Sequence, residues 1–197
     1  MIGAIILAGG EGKRMGAVKP LLDIHGMPAL ARVIGALRTA GVEEIIVVLG
    51  HAAEAVRDGV DLSGCRVVVN PDYKAGMASS LRAGMRVLPA KAHGFLILHS
   101  DMPYISPETI EAVIAAARTG ARIVAPTYRG KRGFPVYIGR ACFPGLIETL
   151  AGNVGARVYI AAHPEMLVEI PVDDPGAVTD LDTPEDLEKE FTNAGLH

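Results

Sequence analysis

Short apolar runs alternate along the chain with segments whose apolar residues recur at helical spacing. Residues 2–7 form the first run, and glycine follows it closely, which is typical of a buried strand in a parallel sheet. Comparable runs predict further strands over residues 44–50, 66–70, 95–99, 122–126 and 167–170. Helical spacing predicts helices over residues 28–40, 52–58, 77–88, 106–118, 140–150 and 154–162.

Helix starts and one returning strand complete this pattern. Ser106 precedes Pro107 and Glu108, so it is predicted to cap the helix that begins there. Thr183 and the residues after it predict the start of a last helix. Residues 128–133 are polar and glycine-rich and are expected to form a loop, after which residues 134–138 predict a strand that can return antiparallel.

The alternation of strands and helices through the first two-thirds of the chain predicts an α/β fold. We expect one open, mostly parallel sheet with helices on both faces, and a single domain over residues 1–197. Ligands of such sheets bind beyond the carboxyl ends of the strands. The loop after the first strand, Asn70 after the third and Asp101 after the fourth all fall at that edge.

Composition narrows the class of protein. Half of the residues are hydrophobic, but tryptophan is absent, so the core is expected to be aliphatic. A net charge of −3 argues against bulk nucleic-acid binding, and no apolar stretch is long enough to span a membrane. Cys65 and Cys142 form no CxxC motif, and the opening residues lack a charged signal segment, so a cytoplasmic protein is expected.

The stretch after the first strand, AGGEGKRMGAVKP, concentrates glycines and cations. Glycines allow backbone N–H groups to turn inward and form a concavity that binds anions. Lys13, Arg14 and Lys19 add full positive charges. This composition predicts a loop that wraps a polyphosphate, and a plain glycine-rich turn with solvated charges is the alternative.

Two other phosphate loops fit the stretch less well. A Walker A loop needs Lys followed by Ser or Thr, and this step is missing. A dinucleotide fingerprint needs G-x-G-x-x-G, whereas the spacing from Gly10 through Gly12 to Gly16 is one residue too long, and no carboxylate ends the second strand. A nucleoside triphosphate is the ligand that these comparisons leave.

Carboxylates near the same edge suggest a metal. Asp101 either holds Mg²⁺, a cation that prefers oxygen ligands and phosphate oxygens, or makes a local turn hydrogen bond. A single carboxylate binds Mg²⁺ weakly, so a second is expected. Asp180 and Asp182 flank Leu181, and residues two apart in an extended segment point the same way. Asp182 could equally assist the helix that follows it.

Four motifs together resemble the nucleotidyltransferases that build molybdenum cofactor dinucleotides. They are LAGGEGKRMGAVKPLLDIHG, NPDYKAGMASSLRAG, the DMP of residues 101–103 and TDLDTPEDL, and they cover almost the whole chain. The resemblance implies a Rossmann-like nucleotidyltransferase fold. It assigns Mg²⁺ to Asp101 with Asp182 as first and Asp180 as second partner, and catalysis to Lys19, Arg14 and Asp101. Nucleotide binding falls to Leu7, Ala8, Gly9, Gly10, Gly12, Lys13, Arg14, Lys19, Asn70, Gly76, Ser79 and Asp101, with helix capping as the alternative for Ser79.

The chemistry implied is transfer of a nucleoside monophosphate to a phosphorylated acceptor, with molybdopterin as the family's acceptor. The segment GMASSLRAGM resembles the cytidylyl branch, whereas Gly9 in LAGG resembles the guanylyl branch and would leave room for a purine, so CTP is favoured only slightly. Phe134 stands where relatives often carry His, and Lys131 and Arg132 beside it either meet an anionic acceptor or are solvated.

Other functions stay open at this point. The acceptor can be another phosphorylated molecule, such as a sugar or alcohol phosphate. A non-catalytic nucleotide-binding module that serves as a chaperone for a molybdoenzyme partner is a hypothesis of a different class, although Asp101, Asp182 and Lys19 argue against lost catalysis. An oxidoreductase is the least favoured, for the reasons of spacing given above.

Overall fold

A computed structural model of the chain describes residues 1–12 and 14–186. The strands are β1 (Ile2–Ala8), β2 (Glu44–Leu49), β3 (Arg66–Val69), β4 (Gly94–His99), β5 (Ile123–Tyr128), β6 (Lys131–Arg132), β7 (Val136–Gly139) and β8 (Leu167–Pro171). The α-helices are α1 (Ala29–Thr39), α2 (Ala53–Gly59), α3 (Met77–Val87), α4 (Pro107–Arg118), α5 (Phe143–Thr149) and α6 (Arg157–Ala162). None of these helices combines the length and apolar character needed to cross a membrane.

The strands form one mostly parallel sheet in the order β3-β2-β1-β4-β7-β5-β6, with β8 paired to β5. β1 pairs in parallel with both β2 and β4, so its carboxyl end lies at the centre of one sheet edge. β7 is antiparallel to β4 and β5, which confirms the returning strand predicted near residues 134–138. The α/β sheet of the sequence analysis is therefore confirmed.

Alternate residues of β1 face two separate cores, because successive side chains of a strand point to opposite faces. Ile6 packs in a cluster with Leu30 and Val33 of α1 and with Ile110 of α4. Ile5 packs on the other face, in a cluster with residues of α3, α5 and α6. Helices therefore cover both faces of the sheet. Burial is nearly complete along β1, which matches its unbroken apolar run.

Local signals set the helix ends. The Ser106 hydroxyl accepts a hydrogen bond from Thr109 N at 3.1 Å, and Pro107 is the first residue of α4, as predicted. α3 ends at Val87 because Leu88 precedes Pro89 and takes extended geometry. Thr183 caps the next turn by accepting from Asp186 N, and the rest of the predicted last helix lies outside the described residues.

The structure departs from the predicted elements in two places. Residues 131–132 form the short strand β6, although the stretch was expected to be a loop, because a tight turn folds them back onto β5. The helices predicted over residues 140–150 and 154–162 are shorter. Gly152 and Gly155 both take positive φ between α5 and α6, a conformation that is incompatible with a continuous helix.

Candidate active site

A cavity of about 840 Å³ lies at the carboxyl ends of β1 and β4. Its walls come from the loop after β1, the start of α3, the segment after β4, residues 131–134 and residues 177–182. Ten of the residues predicted to bind nucleotide or metal line it: Leu7, Gly9, Gly10, Gly12, Arg14, Lys19, Gly76, Asp101, Asp180 and Asp182. The fold thus brings together motifs from the beginning, middle and end of the chain.

The glycine-rich loop after β1 requires glycine at residue 12. Gly12 has φ +59°, and a Cβ atom there would lie 2.5 Å from the Ala17 carbonyl oxygen. Gly16 N donates to Gly12 O at 3.0 Å and closes the loop. Lys13 lies outside the described residues, so its predicted role in phosphate binding stays a prediction.

Lys19 lies between two carboxylates that line the cavity. Its Nζ is 2.8 Å from Asp101 Oδ2 and also donates to Asp182 Oδ1. Asp101 follows β4 directly, whereas Asp182 reaches the site because Leu181 is fully buried and its N–H donates to the Asp101 carbonyl at 2.9 Å. One backbone hydrogen bond therefore links the two segments that carry the acids.

The charges of this centre stabilise one another. Only 16% of the Lys19 and Asp101 side chains is exposed, so water screens their attraction weakly. Burial opposes the charge of Lys19, but the ion pairs with Asp101 and Asp182 outweigh it and raise the pKa of Lys19 above its ordinary value. The hydrogen bond from Lys19 lowers the pKa of Asp182, and Arg14, 3.1 Å away, adds to this effect.

The two carboxylates fit a divalent cation that shares its coordination with a substrate. Asp101 Oδ2 and Asp182 Oδ1 lie within hydrogen-bond distance of one nitrogen atom, so they converge on a single point. Asp180 lines the same cavity but is exposed. Within the described residues, no three His, Cys, Asp or Glu side chains are grouped to hold a metal. Two carboxylates with phosphate oxygens are the usual ligands of Mg²⁺ in such sites.

Residues 4–167 match the family described as the MobA-like NTP transferase domain. This chain is an NTP transferase of that family. The match covers most of the chain and confirms the family that the sequence motifs indicated. A nucleoside triphosphate is therefore its substrate class.

Two curated relatives show how far the similarity extends. Nicotine blue oxidoreductase from Paenarthrobacter nicotinovorans is 32% identical over 191 residues, which cover 93% of each chain. The bifunctional IPC transferase and DIPP synthase from Rubrobacter xylanophilus is 32% identical over 94% of this chain. The chain spans only 50% of the length of that second relative. Their names point to different substrates, so the family alone does not give the acceptor.

A solved structure supports the fold over nearly the full length. Rv0371c from Mycobacterium tuberculosis H37Rv has a TM-score of 0.88 at 29% identity, and the alignment covers 98% of both chains. The same protein has also been solved in complex with manganese, with a TM-score of 0.83 over 95% of this chain and 96% of that one. The manganese complex is consistent with use of a divalent metal in this NTP transferase.

Asn70 and Ser79 of the NTP transferase are not among the residues that line the cavity. Asn70 is buried, and its amide donates to Ser79 Oγ at 2.8 Å and to Ser80 Oγ at 3.1 Å. The Asn70 side-chain oxygen accepts from Asp72 N at 3.1 Å. These bonds tie the end of β3 to the first turn of α3. Ala8 is likewise buried and is not among the lining residues.

The alternative of helix capping by Ser79 is not what the structure shows. Gly76 occupies the N-cap position of α3, and no side chain there caps the helix. The Ser79 hydroxyl instead lies 2.8 Å from the carbonyl oxygens of Asp72 and Gly76. Ser79 therefore stabilises the turn before α3 through hydrogen bonds, and its predicted contact with nucleotide stays a prediction.

Several lining residues of the NTP transferase escaped sequence reasoning. Tyr73, Lys74 and Ser80 come from the segment around the start of α3, and Asn153 comes from the loop between α5 and α6. Asn153 Oδ1 accepts from Met77 N at 3.1 Å, while Gly152 O accepts from Ala78 N at 2.9 Å. The available sequence signal for this loop was the presence of two glycines, Gly152 and Gly155, close to Asn153.

The cavity wall at Phe134 is aromatic. Phe134 meets His99 edge-on, with ring centroids 4.8 Å apart. Burial lowers the pKa of His99, with the charges of Asp101, Asp180 and Asp182 acting against it. Phe134 N donates to Ala177 O at 2.8 Å, which fixes this wall to the segment that leads to Asp180.

Proposed function

We propose that the protein transfers a nucleoside monophosphate from CTP, or less favourably GTP, to the terminal phosphate of molybdopterin. Pyrophosphate is the second product. The observation that carries the proposal is the convergence of Asp101 and Asp182 on Lys19 beside the glycine-rich loop. This arrangement offers anionic metal ligands and phosphate-binding cations at one point of the cavity.

The reaction needs positioning and charge neutralisation more than covalent chemistry. An oxygen of the acceptor phosphate attacks the α-phosphorus of the triphosphate, and the bond from that phosphorus to the bridging β-phosphate oxygen breaks. The nucleophile is already ionised, so no general base is required. Arg14 and the backbone N–H groups of the glycine-rich loop stabilise the leaving pyrophosphate, and Lys19 neutralises charge at the α-phosphate.

Asp101 and Asp182 would hold Mg²⁺, with Asp180 as the second choice of partner. When bound, such a cation neutralises the charge that develops on the phosphates during transfer. The manganese complex of the 29% identical Mycobacterium tuberculosis protein supports a divalent cation in the family. With that cation bound, Lys19 would move from the two carboxylates to the α-phosphate.

The preference for CTP rests on sequence resemblance in α3, and the packing around Gly9 weakens the opposing signal for GTP. A Cβ atom at residue 9 would lie 3.1 Å from Gly50 N and 3.3 Å from Gly50 Cα. The missing side chain therefore makes room for the backbone after β2. This packing weakens the argument that Gly9 makes room for a purine base.

A second candidate function is oxidation or reduction with a nicotinamide cofactor, because the relative aligned over 93% of both chains carries the name nicotine blue oxidoreductase. The phosphate-loop spacing and the segment Leu49–Gly50–His51, which has no carboxylate for a ribose, favour the transferase. A sugar or alcohol phosphate as acceptor is the related alternative.

The test is a panel of reactions followed by release of pyrophosphate. Purified protein is incubated with CTP, GTP, ATP or UTP, with and without Mg²⁺, and with molybdopterin, a hexose 1-phosphate or an alditol phosphate. We expect Mg²⁺-dependent release with CTP and molybdopterin. Release only with another acceptor would reassign the substrate. Thermal stabilisation by NAD, and by no triphosphate, would overturn the transferase assignment.

A further inference from the structure

Asp174 is a buried carboxylate that the proposed reaction does not use. Only 8% of its surface is exposed, and in the part of the chain that the structure describes no other Asp or Glu is as deeply buried. Removal of a carboxylate from water is costly unless hydrogen bonds compensate it. Asp174 begins the segment of residues 174–182, here called the acid-bearing segment because it ends at Asp182.

Three donors compensate the buried charge of Asp174. Its Oδ2 accepts from Ser106 N at 3.0 Å and from Thr109 Oγ1 at 2.7 Å. Its Oδ1 accepts from Gly176 N at 2.8 Å. Ser106 is the N-cap of α4, so the carboxylate also lies at the positive end of that helix dipole. One side chain therefore bonds both its own segment and the first turn of α4.

The acid-bearing segment lies directly against the chain that follows Asp101. It makes a short turn over Pro175–Val178, and the Asp174 side chain caps this turn. A Cβ atom at Gly176 would overlap the Tyr104 carbonyl oxygen, so glycine is needed for the close approach of the two backbones. Asp174 therefore fixes the segment at a place where it has no room to shift towards α4.

The other end of the acid-bearing segment is attached at Leu181. Its N–H donates to the Asp101 carbonyl at 2.9 Å, and its buried side chain packs in a cluster with Met15 of the glycine-rich loop. Asp182 is the next residue. Asp174 and Leu181 thus attach the segment at two points, and both points contact the chain between the end of β4 and the first turn of α4.

Two attachments define the position of Asp182 more closely than one. With Leu181 alone, the segment could rotate about a single backbone hydrogen bond, and the Asp182 carboxylate would move away from Asp101. The bonds of Asp174 remove this freedom because they join the segment to α4 in two directions. Position matters for these acids because Mg²⁺ demands near-ideal geometry from its ligands.

We infer that Asp174 is a positioning residue that holds Asp182 opposite Asp101. Asp174 is not among the residues that line the cavity, so it acts through the acid-bearing segment and touches neither substrate nor metal. The inference rests on the proposed function, because it takes Asp101 and Asp182 as the metal ligands. Outer partners that orient metal ligands typically contribute about 10–100-fold to metal affinity.

The test measures two properties of Asp174→Asn, and neither requires turnover. The first is amide hydrogen exchange at Leu181 relative to Ile5, a fully buried residue of β1. The second is binding of Mn²⁺ without nucleotide, followed by electron paramagnetic resonance. Asparagine keeps the shape of the side chain but presents an NH₂ group to one of the donors. We expect exchange at Leu181 to accelerate about tenfold more than at Ile5, and Mn²⁺ binding to weaken about tenfold.

Two variants serve as controls. Asp173→Asn removes the same charge from the neighbouring, exposed residue and should change neither property by more than about twofold. Leu37→Ala lowers the stability of the whole fold, because Leu37 is fully buried in α1 and its truncation leaves a cavity. This variant should accelerate exchange at Leu181 no more than at Ile5 and should leave Mn²⁺ affinity unchanged.

Thr109→Val is a milder variant, which keeps the inference testable if Asp174→Asn does not fold. It removes only the hydroxyl donor to Asp174 and should give smaller effects in the same direction. Equal acceleration at Leu181 and Ile5 in the variants of Asp174 and Thr109 would show a role in stability alone and overturn the inference. Selective acceleration at Leu181 with unchanged Mn²⁺ affinity would overturn it as well.

Failure of the proposed function gives a different result. The unmodified protein would then bind no Mn²⁺, with or without CTP, and would transfer no nucleotide, while exchange at Leu181 still depended on Asp174. That result would reject the metal site and retain the placement of Asp182 by Asp174.

Discussion

Lys19 Nζ lies 2.8 Å from Asp101 Oδ2 and pairs with Asp182 at the same time, so an ammonium group occupies the point on which both carboxylates converge. The same point is where a divalent cation would bind. Lys19 and a divalent metal would therefore compete for one pair of acids. Binding of the metal would free the Lys19 ammonium group to contact a bound triphosphate.

Replacement of Lys19 by Met should tighten binding of Mn²⁺ in the absence of nucleotide. Removal of a competing positive charge at hydrogen-bond distance is expected to raise the affinity by about tenfold or more. Electron paramagnetic resonance of free Mn²⁺ measures this directly. Arg14→Met is the control and should have a smaller effect, because 76% of the Arg14 side chain is exposed. Equal or weaker Mn²⁺ binding by the Lys19 variant would contradict the competition.

Asp101→Ala should abolish most nucleotidyl transfer while the fold is retained. Loss of one preorganised charged group at a reacting centre typically lowers kcat by about 10²–10³-fold. Lys19 keeps Asp182 as a partner in this variant, so circular dichroism should show native secondary structure. Asp180→Asn, which alters an exposed carboxylate of the same cavity, should lose less activity. Normal pyrophosphate release from the Asp101 variant would reject the metal assignment.

The contribution of Asp182 to stability should depend on pH in the acid range. Its pKa lies below the ordinary value of 3.8, chiefly because of the hydrogen bond from Lys19. A lowered native pKa stabilises the fold above the unfolded-state pKa, and this stabilisation disappears as the pH falls through the native pKa. Urea unfolding should show that Asp182→Asn is less stable than the unmodified protein at pH 7. The difference should shrink below about pH 4, and a difference that grows there would have the wrong sign.

Asn70→Ala should destabilise the fold, because it leaves buried hydrogen-bonding groups without partners. The expected loss in free energy of unfolding is about 1–3 kcal/mol. Asn153→Ala, which removes a hydrogen bond at an exposed site, is the control and should cost less. Thermal stabilisation by CTP with Mg²⁺ should persist in the Asn70 variant. An unchanged stability together with lost nucleotide binding would show that Asn70 acts on the ligand, as the sequence resemblance implies.

The sheet and its glycine-rich loop could be predicted because their signals are local. Apolar runs, glycine stops and the Ser106 cap each depend on a few neighbouring residues, and the structure confirms them. The edge of the sheet where Asp101 lies followed from the general position of ligands in α/β folds. The prediction of helices on both faces of the sheet is also confirmed, since alternate residues of β1 pack into two cores.

The pairing inside the site could not be predicted, because it depends on contacts between distant residues. Lys19 and Asp182 are separated by 163 positions, and no pattern reports that their side chains meet. Asn70 and Ser79 were predicted to contact the nucleotide, yet they hydrogen-bond one another and are not among the residues that line the cavity. The ion pair between Arg132 and Glu169 likewise emerges only when Glu169 is brought alongside β6.

The hydrogen bond from Leu181 N to the Asp101 carbonyl has a consequence for the order in which the protein is built. Chains are synthesised from the amino end, and folding can begin on the parts already made. A nascent chain that has just passed β4 and includes residue 101 contains the glycine-rich loop, Lys19 and Asp101, but not the second acid. Lys19 and Asp101 can pair at that stage, and the acid pair exists only after residue 182 has been added. On the proposed function, catalytic competence would thus be acquired only after residue 182 is made, later than the strands of the sheet that support the site.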